Sequence, residues 1–136
     1  MNLFQRGNFV LAGGEKSRFK VDCDALTWDD IETLAKEIVR RLPPFRQVEG
    51  VPNGGDRLAV ALRGYASEQR EHPLLIVNDL YTTGARMEWQ RGGRPALGAV
   101  IFARRPVAQL WIMALFTLTV ENWAEEKKEE DRWFLL

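Results

Sequence analysis

Apolar positions along this chain fall into two patterns, continuous blocks and regularly spaced stripes. Leu74-Leu75-Ile76-Val77, the run ALGAVIFA over residues 96–103 and LWIMALFTLTV over residues 110–120 are continuous. Blocks of that kind suit strands covered on both faces of a parallel sheet. The last is long and apolar enough to be central, or to be buried by a partner. By contrast, Ile31, Leu34, Ala35, Ile38, Val39 and Leu42 recur at helical spacing and form one stripe. Thr27 is placed as the N-cap of that helix, Asp29 and Asp30 complement its dipole, and Pro43-Pro44 stops it. Residues 46–52 suit a short strand and Asn53-Gly54-Gly55 a turn. Residues 56–67 follow as a helix that buries Leu58, Ala59, Ala61 and Leu62. Another helix begins at Ala85 and ends in basic residues and glycines, Arg91-Gly92-Gly93-Arg94. Near the N-terminus, Phe9-Val10-Leu11 and residues 19–23 read as two strands joined by a turn at residues 13–17. Strands alternating with helices predict an α/β fold: a mainly parallel sheet with helices on both faces, plus a small N-terminal hairpin.

Composition narrows the class. The 19 Lys and Arg residues balance the 19 Asp and Glu, which leaves no basic footprint for nucleic acid or an acidic membrane. Residues 110–120 fall short of the roughly 20 apolar residues a membrane helix needs, so a soluble cytoplasmic protein is expected. A lone Cys23 excludes an internal disulfide and a multi-cysteine metal cluster; it reads as a packed thiol in a strand. His72 precedes Pro73 in a loop and reads as a surface residue. After residue 120 the chain becomes a charged tail, residues 121–136, with helix-compatible pairs such as Glu125 with Lys128. It ends in an apolar tetrapeptide, Trp133-Phe134-Leu135-Leu136.

The chemistry concentrates in IVNDLYTTGARM, residues 76–87. An apolar strand delivers Asn78 and Asp79 toward the carboxyl edge of a sheet, where ligands bind in open α/β folds. Thr82-Thr83-Gly84 then makes a small, hydroxyl-rich turn at a helix start, whose N–H groups and dipole suit a phosphate. An ordinary capped strand–turn–helix is the alternative. This segment resembles the signature of the type I phosphoribosyltransferases, in which it binds the ribose 5-phosphate of phosphoribosyl pyrophosphate (PRPP). The resemblance implies that Asp79, the catalytic position, contacts the ribose hydroxyls. It also implies that Thr82, Thr83, Gly84, Ala85 and Arg86 wrap the 5-phosphate. Asn78 stands where the family has its first acid, and an amide accepts a hydrogen bond without contributing charge.

Three further stretches extend the resemblance across roughly residues 4–118. VEGVPNGGDRLAVAL resembles the family's pyrophosphate loop, with Pro52, Asn53, Gly54 and Gly55 at its turn. Glycines there let backbone N–H groups approach the diphosphate. The N-terminal hairpin resembles the hood of orotate phosphoribosyltransferases, keeping Leu11, Gly14, Lys16, Ser17 and Phe19. Ala12 stands where that family carries a lysine for the base carboxylate, and Val21 near where an aromatic stacks on the ring. Arg104 matches an arginine that faces the base, with Ala103 in place of its aspartate; a surface turn is the alternative. By this resemblance Lys16, Phe19 and Arg104 are the base-binding residues. The link over residues 64–73 is short, and its neighbourhood offers Arg63 and Arg70 rather than the lysines of the family's mobile loop. Both arginines read as surface charges.

The resemblance therefore implies a phosphoribosyltransferase-like domain over residues 1–120, with a hood over 1–26 and a core over 27–120. The activity implied is transfer of the phosphoribosyl group from PRPP to a nucleobase-like acceptor, with pyrophosphate released. It is of the orotate type and belongs to pyrimidine nucleotide metabolism. The implied cofactor is Mg2+, held weakly at Asp79 and mostly through substrate and water. The implied partners are PRPP, a small nucleobase-like molecule and a second copy in a homodimer. The alternatives are a catalytically deficient regulatory module that binds PRPP or a nucleotide, and an interaction protein using residues 133–136.

Overall fold

A computed structural model describes residues 2–11, 14 and 16–118, together with the backbone of residues 134–135. Two compact units form, one from residues 1–26 with 119–136 and the other from residues 27–118.

The larger unit opens with α1, Trp28–Arg41. Thr27 caps it reciprocally: its hydroxyl accepts from the Asp30 N–H at 3.1 Å, and the Asp30 carboxylate accepts from the Thr27 N–H at 2.8 Å. Ile31, Ala35 and Ile38 form the buried stripe that the spacing predicts. Strand β3, Gln47–Gly50, leads through a turn to α2, Asp56–Arg63, and then to β4, Leu74–Tyr81. Helix α3, Ala85–Arg91, follows, then β5, Ala96–Ala103, and β6, Ile112–Thr117. The four strands are parallel and lie in the order β3-β4-β5-β6.

Strand alternation shows which face each helix covers. On β3, Glu49 reaches Gln90 and Arg94 at the end of α3, and its register partner Ile76 clusters with Met87 of α3. Gly50 is one residue on and so faces the other way; a Cβ there would touch Ala59 of α2. Helices α2 and α3 therefore cover opposite faces, while β3, β4 and β5 advance in one direction across the sheet. The β3–α2–β4 and β4–α3–β5 crossovers must then have opposite hands, although about 98% of such connections are right-handed. Because the chain leaves adjacent strands toward opposite faces, the loops after β3 and β4 splay apart. That carboxyl edge is where ligands bind in α/β sheets.

Three sequence expectations need correction in this unit. Among the described residues of the apolar block 110–120, Ile112–Thr117 join the sheet at its edge and not its centre, which leaves burial by a partner as the open alternative. Ile112 N–H closes a turn onto Gln109 O, which leaves Leu110 exposed. Helix α2 stops at Arg63 instead of residue 67, because Gly64 caps it and the Ser67 amide is claimed by Phe45 O at 2.7 Å. His72 is half-buried, with Nδ1 2.7 Å from Ser67 Oγ. The link over residues 64–73 is tied to the domain at Ser67, whose N–H donates to Phe45 O, and at Pro73, whose carbonyl accepts from Arg46 N–H at 2.9 Å.

The smaller unit pairs β1, Phe4–Val10, antiparallel with β2, Lys16–Val21, through a bulge between Arg6 and Phe9. The backbone of a short β7, Phe134–Leu135, runs parallel to Phe9 and Val10. Cys23 is buried as expected but lies in a single 3-10 turn, Cys23–Ala25, where the Asp22 carboxylate accepts from the Asp24 N–H and ends the strand. The charged part of the tail, residues 121–133, lies outside the described residues, as does Ala12.

Candidate functional site

The crevice between β3 and β4 is floored by glycines. Strand β3 stops pairing at Val77, whose carbonyl accepts from Val51 N–H at 2.8 Å. The chain then turns tightly, Gly55 N–H donating to Val51 O at 2.7 Å and Asn53 taking a left-handed φ of 68°. The Asn53 N–H is held by the Asp56 carboxylate at 3.3 Å. Gly55 lies against the backbone, where a Cβ would run into Val77 O and meet Val51 N at 2.6 Å. Gly54 lies against the polar end of β4, where a Cβ would come 2.5 Å from Asn78 Oδ1 and 2.8 Å from Asp79 Oδ1. The glycine pair thus brings the turn of residues 52–55 into direct contact with Asn78 and Asp79.

Asn78 is 5% exposed, and both ends of its amide are engaged. Its Oδ1 accepts from Asp79 N–H at 2.9 Å, and its Nδ2 donates to Leu80 O at 3.3 Å. A carboxylate there would lose the donor to Leu80 O and carry charge in a buried place, so the local backbone favours the neutral amide. Beyond Tyr81 the chain passes through Thr82 and Thr83 to Gly84, whose φ of 84° few residues other than glycine adopt readily. Thr83 Oγ1 accepts from Ala85 N–H at 3.3 Å. Arg86 projects back across the crevice and donates to Pro52 O at 3.2 Å, tying the two turns together. Two residues absent from the sequence reading also belong here. Tyr81, only 2% exposed, donates its hydroxyl to Gln109 Oε1 at 2.7 Å, and Gln109 Nε2 donates to Thr83 O at 3.0 Å. The sequence assigns Tyr81 no role within the segment 76–87, and Gln109 lies outside every motif; only the fold brings the connection between β5 and β6 beneath this turn.

Behind the site, Glu49 binds Arg94 through both carboxylate oxygens at 2.8 Å and accepts from Gln90 at 2.9 Å. The Arg94 hydrogen bonds, and then that of Gln90 with Coulombic attraction, outweigh desolvation and hold the Glu49 carboxyl at about 2 instead of 4.5. A depressed carboxylate stabilises the fold above its unfolded pKa and loses that contribution as pH falls through the folded value. The stability difference between the wild type and Glu49→Gln should therefore be constant above 4.5 and vanish as pH approaches about 2. Thermal melts across that range check it. Both partners are substantially exposed, so solvent screens the pair and the effect is modest.

The residues assigned to the base fall in both units. Arg104 follows β5 at a bend and is 8% exposed, while Arg105 and Pro106 beside it are exposed; its N–H donates to Tyr81 O at 2.9 Å. In the smaller unit, Phe19 is buried on β2 and Lys16 is exposed at the start of that strand. Arg63 and Arg70 are exposed, as the sequence predicts, and Arg63 donates to Val48 O at 3.5 Å. Among the described residues no helix is long and apolar enough to cross a membrane.

No family model and no curated protein matches the chain. Solved structures do. Orotate phosphoribosyltransferase from Aeropyrum pernix superposes with a TM-score of 0.67 at 20% identity, covering 91% of this chain and 92% of that one. The Francisella tularensis enzyme gives 0.60 at 14% identity, over 94% and 87%. The Mycobacterium tuberculosis enzyme gives 0.58 at 18%, over 85% and 89%. The four-stranded parallel sheet with its separate hairpin is therefore the type I phosphoribosyltransferase fold, in the form that orotate phosphoribosyltransferases take.

Proposed function

We propose that this chain is a phosphoribosyltransferase that moves the 5-phosphoribosyl group of PRPP onto a nitrogen of a nucleobase-like acceptor. The observation that carries the reading is the meeting of Gly54 with Asn78 and Asp79. It places a glycine turn and a carboxylate in one crevice, with the turn of residues 82–86 beside them. In this reaction the bond from C1 to the pyrophosphate oxygen breaks as the acceptor nitrogen bonds to C1, which becomes cation-like between them. Asp79 accepts hydrogen bonds from the ribose hydroxyls and fixes the ring. The turn of residues 52–55 lies beside Asp79 on the diphosphate side, its own N–H groups at Asn53, Gly54 and Gly55 being held by Asp56 and Val51 O, and residues 82–86 hold the 5-phosphate. Positioning and electrostatic stabilisation of the leaving group then supply most of the rate.

Among the described residues, no three of His, Cys, Asp and Glu gather into a metal cage. Asp79 beside a glycine turn fits a magnesium ion carried in by the polyphosphate, with few protein ligands, as is usual for that ion. Bound there, magnesium would neutralise charge on the departing pyrophosphate. A second reading is a PRPP-binding regulatory module without turnover. The link over residues 64–73, short and hydrogen-bonded back to Phe45, favours it, as does the neutral Asn78.

Calorimetry with Mg-PRPP tests the shared core of both readings. Asp79→Ala should weaken binding at least tenfold, more than about 1.4 kcal/mol, through loss of a charged hydrogen-bond acceptor. Unchanged affinity in the folded variant would remove the site. Pyrophosphate release on adding a base then separates the enzyme from the binder.

A further inference from the structure

We infer that Gln109 is a positioning residue that presets the turn of residues 82–84 for a phosphate, with Tyr81 as its support; this rests on the PRPP-site reading. The chain of bonds is continuous. Ala108 N–H donates to the Tyr81 hydroxyl at 3.1 Å, that hydroxyl donates to Gln109 Oε1, and Gln109 Nε2 donates to Thr83 O. Tyr81 is fixed by burial, so the amide of Gln109 is oriented from one side and orients Thr83 on the other. A trans peptide points its C=O and the following N–H in opposite directions. With the Thr83 carbonyl turned down onto Gln109, the Gly84 N–H is turned up, away from the protein. Among the described residues it donates to no protein acceptor.

Gly84 shows how closely this support fits. A Cβ there would come 2.5 Å from Gln109 Nε2 and 2.8 Å from Tyr81 Cε2. The amide fills the space under the turn and leaves the peptide little room to flip. Freed from Gln109, the peptide can rotate, and the N–H must be ordered when a ligand arrives. That ordering weakens binding without removing any group that touches the ligand.

The test is calorimetry on the full chain with two probes, Mg-PRPP and inorganic phosphate, for the wild type, Gln109→Ala, Gln109→Glu, Tyr81→Phe and the double variant Tyr81→Phe with Gln109→Ala. Gln109→Ala should weaken both probes by about tenfold, the equivalent of one oriented hydrogen bond. Tyr81→Phe should weaken them less, and the double variant no more than Gln109→Ala, since both residues act through one chain of bonds. Gln109→Glu supplies a readout that a merely structural role would not move. Its carboxylate keeps the acceptor for Tyr81 but faces Thr83 O without a proton. Its affinity relative to the wild type should therefore recover as pH falls through the ordinary carboxylate range, about 4, when an O–H can donate to Thr83 O. That comparison stands even if Gln109→Ala folds poorly. Wild-type affinity in Gln109→Ala, or a Gln109→Glu deficit independent of pH, overturns the inference alone. Failure of the wild type to bind Mg-PRPP overturns the site reading and this inference with it.

Discussion

Gly54→Ala should leave the protein folded and weaken Mg-PRPP binding by ten- to a hundredfold, whereas Gly55→Ala should destabilise the fold itself. The two glycines are neighbours in one turn, so their contrast isolates function from stability. A methyl group on Gly54 meets the side-chain oxygens of Asn78 and Asp79, at 2.5 and 2.8 Å. The Asn78 amide can give way only by loosening its bonds to Asp79 N–H and Leu80 O, at some cost in stability, and either shift displaces the carboxylate assigned to the ribose. Losing one charge-assisted contact costs about 1.5–3 kcal/mol, which gives the expected range. A methyl group on Gly55 meets Val77 O and Val51 N instead, both backbone atoms of the β3–β4 junction. These cannot move without breaking the hydrogen bond between them, so the cost is roughly 3 kcal/mol or more of stability. Urea denaturation and calorimetry on both variants check the pair. Normal ligand affinity in Gly54→Ala would show that Asp79 is not held where the ligand binds.

Much of this site was legible because its signals are local. A buried strand, an acid at its end and a Thr-Thr-Gly turn lie within one short stretch, and glycine at residues 54, 55 and 84 is required by contacts that few other residues permit. The capped helix beginning at Thr27 was equally legible, since reciprocal capping is written in adjacent residues. Pairing order and handedness were not. Nothing in residues 56–73 says that α2 covers the face opposite to α3, because that depends on which side of each strand packs against which helix. The roles of Tyr81 and Gln109 were hidden for the same reason: 28 residues separate them, and only the return of β6 alongside β5 brings them together. The end of α2 and the start of β6 differ from the sequence pattern where a backbone carbonyl outside the element captures an amide, Phe45 O that of Ser67 and Gln109 O that of Ile112.

That handedness also bears on the missing lysines. With the crossovers on opposite faces, the chain passes from α2 straight to β4 through a link held to Phe45 at Ser67 and to Arg46 at Pro73. The link has no length to spare for a loop that could fold over the crevice. On the proposed function, charge on a departing pyrophosphate would then fall to a cation bound with it. Turnover should accordingly be slow compared with an enzyme that brings a lysine to the leaving group.

Orotate should be a poor acceptor for this protein, used no better than adenine, guanine, hypoxanthine or uracil. Its carboxylate needs positive charge at the edge of the ring, and a planar guanidinium suits it best. Arg104 is positioned for that task by the resemblance, and its backbone is fixed to Tyr81 O at 2.9 Å. The resemblance implies a lysine for the base carboxylate at position 12 of the hood, and Ala12 replaces it. One charge-assisted hydrogen bond fewer is worth about 1.5–3 kcal/mol, or ten- to a hundredfold in affinity. Ala12→Lys should therefore raise orotate use by about that factor and leave uncharged bases unaffected. Arg104→Lys, which keeps charge but loses the fork, should lower orotate use in the Ala12→Lys background more than it lowers uracil use. A steady-state assay of pyrophosphate release with PRPP and each base provides the measurement. Efficient orotate turnover by the unaltered protein, abolished in Arg104→Lys, would show that one arginine suffices and that the hood cation is dispensable.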